Sequence, residues 1–227
     1  MIRNYLTALK RFWVKVHPKI LPTLFRVRLT LVIFVTILIV GEVSESHGLE
    51  DWPVLVQHFG WDLTTLEHGQ VYAAWRGLFF SSAPDDFYGI LLLLLVTVGL
   101  LEYRRGTSLA AFAFFIIGPL ASIFTLLALW PISNAGIEYV RVALYTPDLG
   151  SSTACLVCLG IFLVRETGKW HIIMIFGVLA VLLGLFYRNV VYNFDHLDGF
   201  LIGLGSGAIM AWWTRRKRMK QTQILQN

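Results

Sequence analysis

Charge is scarce in this chain, and scarcest where apolar residues are densest. Only 15% of the 227 residues are Asp, Glu, Lys or Arg, whereas 56% are hydrophobic, and the mean hydropathy is +0.66. A soluble domain of this length seldom carries so much apolar surface, so an integral membrane protein is the leading class. Cysteine is nearly absent. Cys155 and Cys158 share one apolar run, which leaves no disulfide framework. A redox pair there would lack water and partners, so both read as small apolar filler. His17, His47, His58, His68 and His171 show no ligand spacing, so no metal or other cofactor is expected. No internal repeat is visible, which weakens a transporter reading. Nor does Ile39-Val40-Gly41-Glu42 resemble a small-residue cleavage site, so the first apolar run reads as a true helix rather than a signal peptide.

What the chain does have is apolar runs without an amphipathic stripe, the pattern of helices surrounded by lipid. Six such segments are predicted: Leu29 to Val43, Phe87 to Leu101, Ser108 to Trp130, Leu149 to Val164, Trp170 to Tyr187 and Leu197 to Trp213. Each is near the ~20 residues that a bilayer requires, some of them short. The fold class is therefore an all-α integral membrane protein of six spans. With the N-terminus inside, sixteen of the nineteen basic residues fall on one side, and only Arg76, Arg141 and Arg188 fall outside. That asymmetry makes both termini cytoplasmic. It also reads the basic excess as a topology signal and an attraction to membrane lipid, with no nucleic-acid partner.

Three regions follow. Residues 1–28 form a basic cytoplasmic segment, with an interfacial helix expected within it. Residues 29–213 form the membrane domain, with a long aromatic outer loop over 44–86 that is expected to lie half-sunk in the interface. Residues 214–227 form a basic tail. Pro119 is expected to kink the third span, and Pro131 and Pro147 to bracket the connection after it.

The chemistry concentrates where two segments enter from the outer side. The fourth opens on Asp148-Leu-Gly150-Ser151-Ser152, which puts Ser152 in its first turn. Gly150 leaves room beside it, and unpaired backbone N–H groups at a helix start can face an oxyanion. A serine there also serves as an N-cap, and as a nucleophile it requires a base. The candidate base is His196, at the outer start of the sixth segment, with Gly199, Gly203 and Gly207 behind it on one helix face. Such a small-residue seam lets two membrane helices meet at backbone distance and would bring His196 to Ser152. Asp148, Asp195 and Asp198 crowd the two mouths. Acids there favour a helix N-terminus, and one beside His196 would raise its pKa and orient the ring.

Gly-x-Ser on the fourth helix and His-x-x-Gly-x-x-x-Gly on the sixth resemble the rhomboid intramembrane serine proteases. Trp75-Arg76 in the first loop and Gly99-Leu-Leu-Glu102-Tyr-Arg-Arg-Gly106 at the end of the second helix agree with this. The likeness covers Leu29 to Trp213 and implies a six-helix rhomboid-like bundle. It implies that Ser152 attacks a peptide bond of a transmembrane protein substrate while His196 shuttles its proton. It further implies that Arg76 holds the first loop, that Glu102 holds the inner end of helix two, and that Asn193 sits where many members carry a small polar residue. With the usual helix-two donors replaced by Asp86 and Ile90, the oxyanion would fall to the backbone N–H of Ser152, supported by Gly150, Ser151 and Asn193. Thr153 and Leu156 also depart from the family pattern, where Gly and an aromatic are usual. Three functions stand: an intramembrane endopeptidase of a multi-pass cell-membrane protein, with a bacterial inner membrane as its home; a rhomboid-like module that binds membrane helices without cleaving them; and a small transporter.

Overall fold

The computed structural model describes residues 22–43, 52–81, 87–165 and 190–226. The proposed interfacial stretch before residue 22, the fifth predicted segment and Asp86 lie outside these residues. The described chain is mostly helical and contains no strand, the one bridge being the pair Trp61 and Asp148. Its elements are α1 (Arg28–Val43), α2 (Trp52–Phe59), α3 (Leu63–Glu67), α4 (Ala73–Arg76) with a following 3-10 turn (Gly77–Phe79), α5 (Phe87–Arg105), α6 (Thr107–Asn134), α7 (Glu138–Leu144), α8 (Ser152–Arg165) and α9 (Val190–Gln226).

Two of these, α5 and α6, are long and apolar enough to cross a membrane. The apolar part of α8, Ser152–Val164, is shorter. It is the central helix. Every residue from Thr153 to Leu163 is buried, and α5, α6 and α9 pack around it. A helix apolar on all sides gains most when it is surrounded on all sides, which is why this segment lies in the middle. The surrounding helices turn large side chains outward instead: Val35 and Ile39 on α1, Leu92 and Val96 on α5, Phe124 on α6 and Ile209 on α9 are exposed.

Pro119 is accommodated inside α6 rather than at a break. The turn before it, Ala113–Ile117, widens to a π-helix, and Pro119 opens the α-helical stretch that follows. Proline has no N–H to give the carbonyl four residues back. That carbonyl, Phe115 O, accepts instead from Trp75 Nε1 at 2.6 Å, which ties the outer loop to α6. The third segment also ends later than its sequence predicts. α6 runs through Pro131 to Asn134, so Pro131 lies in its last turns and not in the connection. Ser133 Oγ donates to Trp130 O at 2.7 Å in the last turn of the helix. The long outer loop is likewise built rather than loose, since residues 52–81 fold into α2, α3, α4 and the 3-10 turn.

Candidate active site

The mouth of α8 is held by the outer loop through main-chain bonds. Trp61 N donates to Asp148 O at 3.0 Å, Asp148 N donates to Trp61 O at 2.9 Å, and Gly150 N donates to Gly77 O at 3.1 Å. Gly150 has φ +126°, a conformation that other residues rarely adopt, so glycine is required for the chain to swing from this bridge into the helix. Ser151 stands at the helix boundary, with its carbonyl accepting from Cys155 N at 2.9 Å, and Ser152 is the first helical residue. Neither serine hydroxyl makes a hydrogen bond among the described residues, and Ser151 Oγ is fully buried without one. The pair therefore does not cap the helix with its side chains.

The glycines of α9 lie against α8 at backbone distance. A Cβ on Gly199 would sit 2.7 Å from Thr153 Cγ2, one on Gly203 would strike Val157 O, and one on Gly207 would lie 3.1 Å from Ile161 Cα. From the other side, Gly160 faces Phe200 O. Each glycine of α9 follows its partner on α8 by 46 residues, so the two helices run parallel in one fixed register. In that register His196 is level with Gly150, two residues from Ser152, or about 3 Å along the axis at 1.5 Å per residue. His196 is buried and Ser152 half-buried.

The bond that crosses between the helices at this level is another one. Thr153 Oγ1 donates to Asp195 Oδ2, one residue from each member of the proposed dyad. Ser152 and His196 themselves are neighbours in register without a hydrogen bond from the serine. Asp198 turns toward α6 and accepts from Thr125 Oγ1 at 3.2 Å, away from the seam. Ile90 is buried in α5, where it offers an oxyanion no donor. Asn193 lies in the first turn of α9, but its side chain is outside the described set.

The remaining motif residues hold the frame. The Arg76 guanidinium lies 5.7 Å from the Phe59 ring and 5.5 Å from the Tyr72 ring, gathering the outer loop around one cation. Glu102 is buried at the far end of α5. It accepts from Leu29 N at 3.0 Å, Thr30 N at 2.8 Å, Thr30 Oγ1 at 2.7 Å and Thr107 Oγ1 at 2.9 Å.

A half-open cavity of about 150 Å³ adjoins the site and was not anticipated from the sequence. Asp148, Asp195, Ser122 and Thr125 line it, with Trp61 and Asp62 beside them. Burial, and after it the charge of Asp195, pushes the Asp148 carboxyl up to about 8, against one opposing hydrogen bond from Leu149 N at 2.8 Å. Ser122 and Thr125, three residues apart in the otherwise apolar α6, were the available signal, because two hydroxyls on one face of such a helix face something polar.

Compared with protein-family models, curated proteins and solved structures, the chain matches none of them.

Proposed function

We propose that this chain is a six-span, rhomboid-like membrane protein that acts as an intramembrane serine endopeptidase. Ser152 is its nucleophile and His196 its base. The observation that carries the reading is the parallel glycine seam, which sets an imidazole and an uncommitted hydroxyl at one level although they are 44 residues apart. The outward-facing large apolar residues of α1, α5, α6 and α9 support the membrane setting, because a surface of that kind is stable in lipid and costly in water. The charge asymmetry of the chain supports cytoplasmic termini, and a bacterial inner membrane suits the compact form.

In this mechanism His196 takes the hydroxyl proton as Ser152 Oγ attacks the scissile carbonyl of a transmembrane substrate. His196 then returns the proton to the leaving amine. The free backbone N–H groups of the first turn of α8, beside Gly150 and Ser151, face the developing oxyanion. A missing side-chain donor lowers the rate by about a hundredfold or more, roughly 3 kcal/mol. The buried Ile90 therefore implies slow turnover.

A second reading is favoured by that same Ile90 together with the Thr153–Asp195 bond. In it the chain keeps the scaffold to bind or escort membrane helices and does not cleave them. A fluorophosphonate probe separates the two. Labelling of folded wild-type protein that is lost in Ser152→Ala and His196→Ala is expected for the enzyme. Absence of labelling in all three, with helical content intact, gives the binding module instead.

A further inference from the structure

The cavity at the mouth of α8 has an electrostatic imbalance. Two of its walls are the carboxylates Asp148, from the loop before α8, and Asp195, from α9. Asp62, at the start of α3, lies at the same space, and the hydroxyls of Ser122 and Thr125 face it from α6. Among the described residues no Lys, Arg or His lines it. Arg141 on nearby α7 is exposed and already engaged with Glu138 at 2.8 Å. Asp195 accepts from Thr153 at Oδ2, and the hydroxyls of Ser122 and Thr125 lie close enough to favour its charge, but the buried Oδ1 makes no well-formed hydrogen bond of its own.

Two carboxylates facing one small space disfavour each other's ionisation; His196, beside Asp195 but off the cavity wall, offsets this on one side only, and a positive charge entering the space would favour both anions. Leu126 and Leu129 of α6 and Val142 of α7 give the wall an apolar side, with the hydroxyl-bearing Tyr139 and Thr146 elsewhere on it. The volume corresponds to on the order of five waters at about 30 Å³ each, enough for a charged head on a short hydrocarbon stem.

We infer that this cavity is an anionic subsite for an alkylammonium or alkylguanidinium group, supplied by a lysine or arginine side chain of the segment to be cleaved. The source of the group rests on the protease reading, but the binding does not involve Ser152. Asp195 Oδ1 accepts from the cation, Asp148 becomes its second acceptor, and the stem lies along Leu126 and Leu129. The charge then favours ionised Asp148, so binding releases a proton below about pH 8 and tightens as pH rises toward that value. The titratable groups that share the field are Asp62, Tyr139 on α7, and His196 beside Asp195.

The test uses the full chain in lipid nanodiscs, titrated calorimetrically with butylguanidinium and butylammonium chloride at pH 7. Two buffers of different ionisation heat report the proton, with sodium chloride and 1-butanol as controls. The expected result is saturable binding that weakens at least tenfold in Asp195→Asn and loses its proton release in Asp148→Asn. Affinity should rise severalfold in Val142→Glu, a gain that misfolding cannot mimic at this exposed position. No saturable binding, binding indifferent to all three substitutions, or equal binding of sodium or butanol overturns the inference. Fluorophosphonate labelling is read separately. Labelling without cation binding removes the subsite alone, and cation binding without labelling removes the protease alone.

Discussion

The two ends of the helix cluster treat buried acid in opposite ways. Where α1, α5 and α6 meet, Glu102 of α5 is 1% exposed and its two oxygens accept four hydrogen bonds from the backbone and hydroxyls of the other two helices. Where α8 and α9 open, Asp195 has one oxygen bonded and one bare, and Asp148 shares its space. A carboxylate whose lone pairs are filled by its own chain is a fastener. One left short of donors, beside a cavity, is available to something that arrives.

The sharpest way to break that contrast is to cut the fastener. Glu102→Ala strands two backbone N–H groups and two hydroxyls in a buried junction, at about 1–3 kcal/mol for each group left unsatisfied. Loss of folded protein, or a fall in stability of several kcal/mol on denaturant titration in micelles, is expected. Glu102→Gln, which keeps an acceptor, should recover part of it. If Glu102→Ala proved as stable as wild type, the two acid clusters would not differ in kind.

A smaller effect is expected at the seam. Gly203→Ala places a methyl on Val157 O, an overpacking worth about 1–3 kcal/mol. Gly205→Ala, two residues on, meets nothing within 4 Å and should stabilise by up to about 1 kcal/mol, the helical preference of alanine over glycine. Thermal unfolding of the pair measures whether packing, and not helix propensity, sets the level of His196.

The smallest effect is a slope. Asp148 is lifted from 3.8 to about 8 in the folded chain, so between those values the folded state holds a proton that the unfolded state has released. Its contribution to stability is full below pH 4 and is lost as pH rises through 8. Melting temperature should therefore fall from pH 6 to pH 9, and Asp148→Asn should flatten that fall. An unchanged slope in the variant would place Asp148 in water.

Part of the frame can be read in the sequence: the helical character follows from the apolar runs, two of which, α5 and α6, are long enough to cross a membrane, and a close helix pair is marked by glycines four apart. The positions marked for packing, Gly199, Gly203 and Gly207, are those where the backbones of α8 and α9 touch. Helix ends read less well, since Pro131 looks like a terminator and yet α6 continues through it to Asn134. The cavity is the least legible feature, with only the Ser122 and Thr125 hydroxyls of α6 hinting at it. Its walls come from α6, α7, α9 and two loops, and no local pattern encodes such a meeting. The Thr153–Asp195 bond was hidden for the same reason: the register of 46 follows from the seam, but which side chains bridge it depends on rotation about each helix.

Proline 119 and tryptophan 75 form a lock and its key. The ring withholds the donor that Phe115 O would otherwise find, and the indole of a distant loop supplies it. A lineage that restored the missing amide would make the indole redundant, and one that lost the indole would strand a carbonyl inside the fold. Two positions 44 residues apart are thereby bound to drift together or not at all.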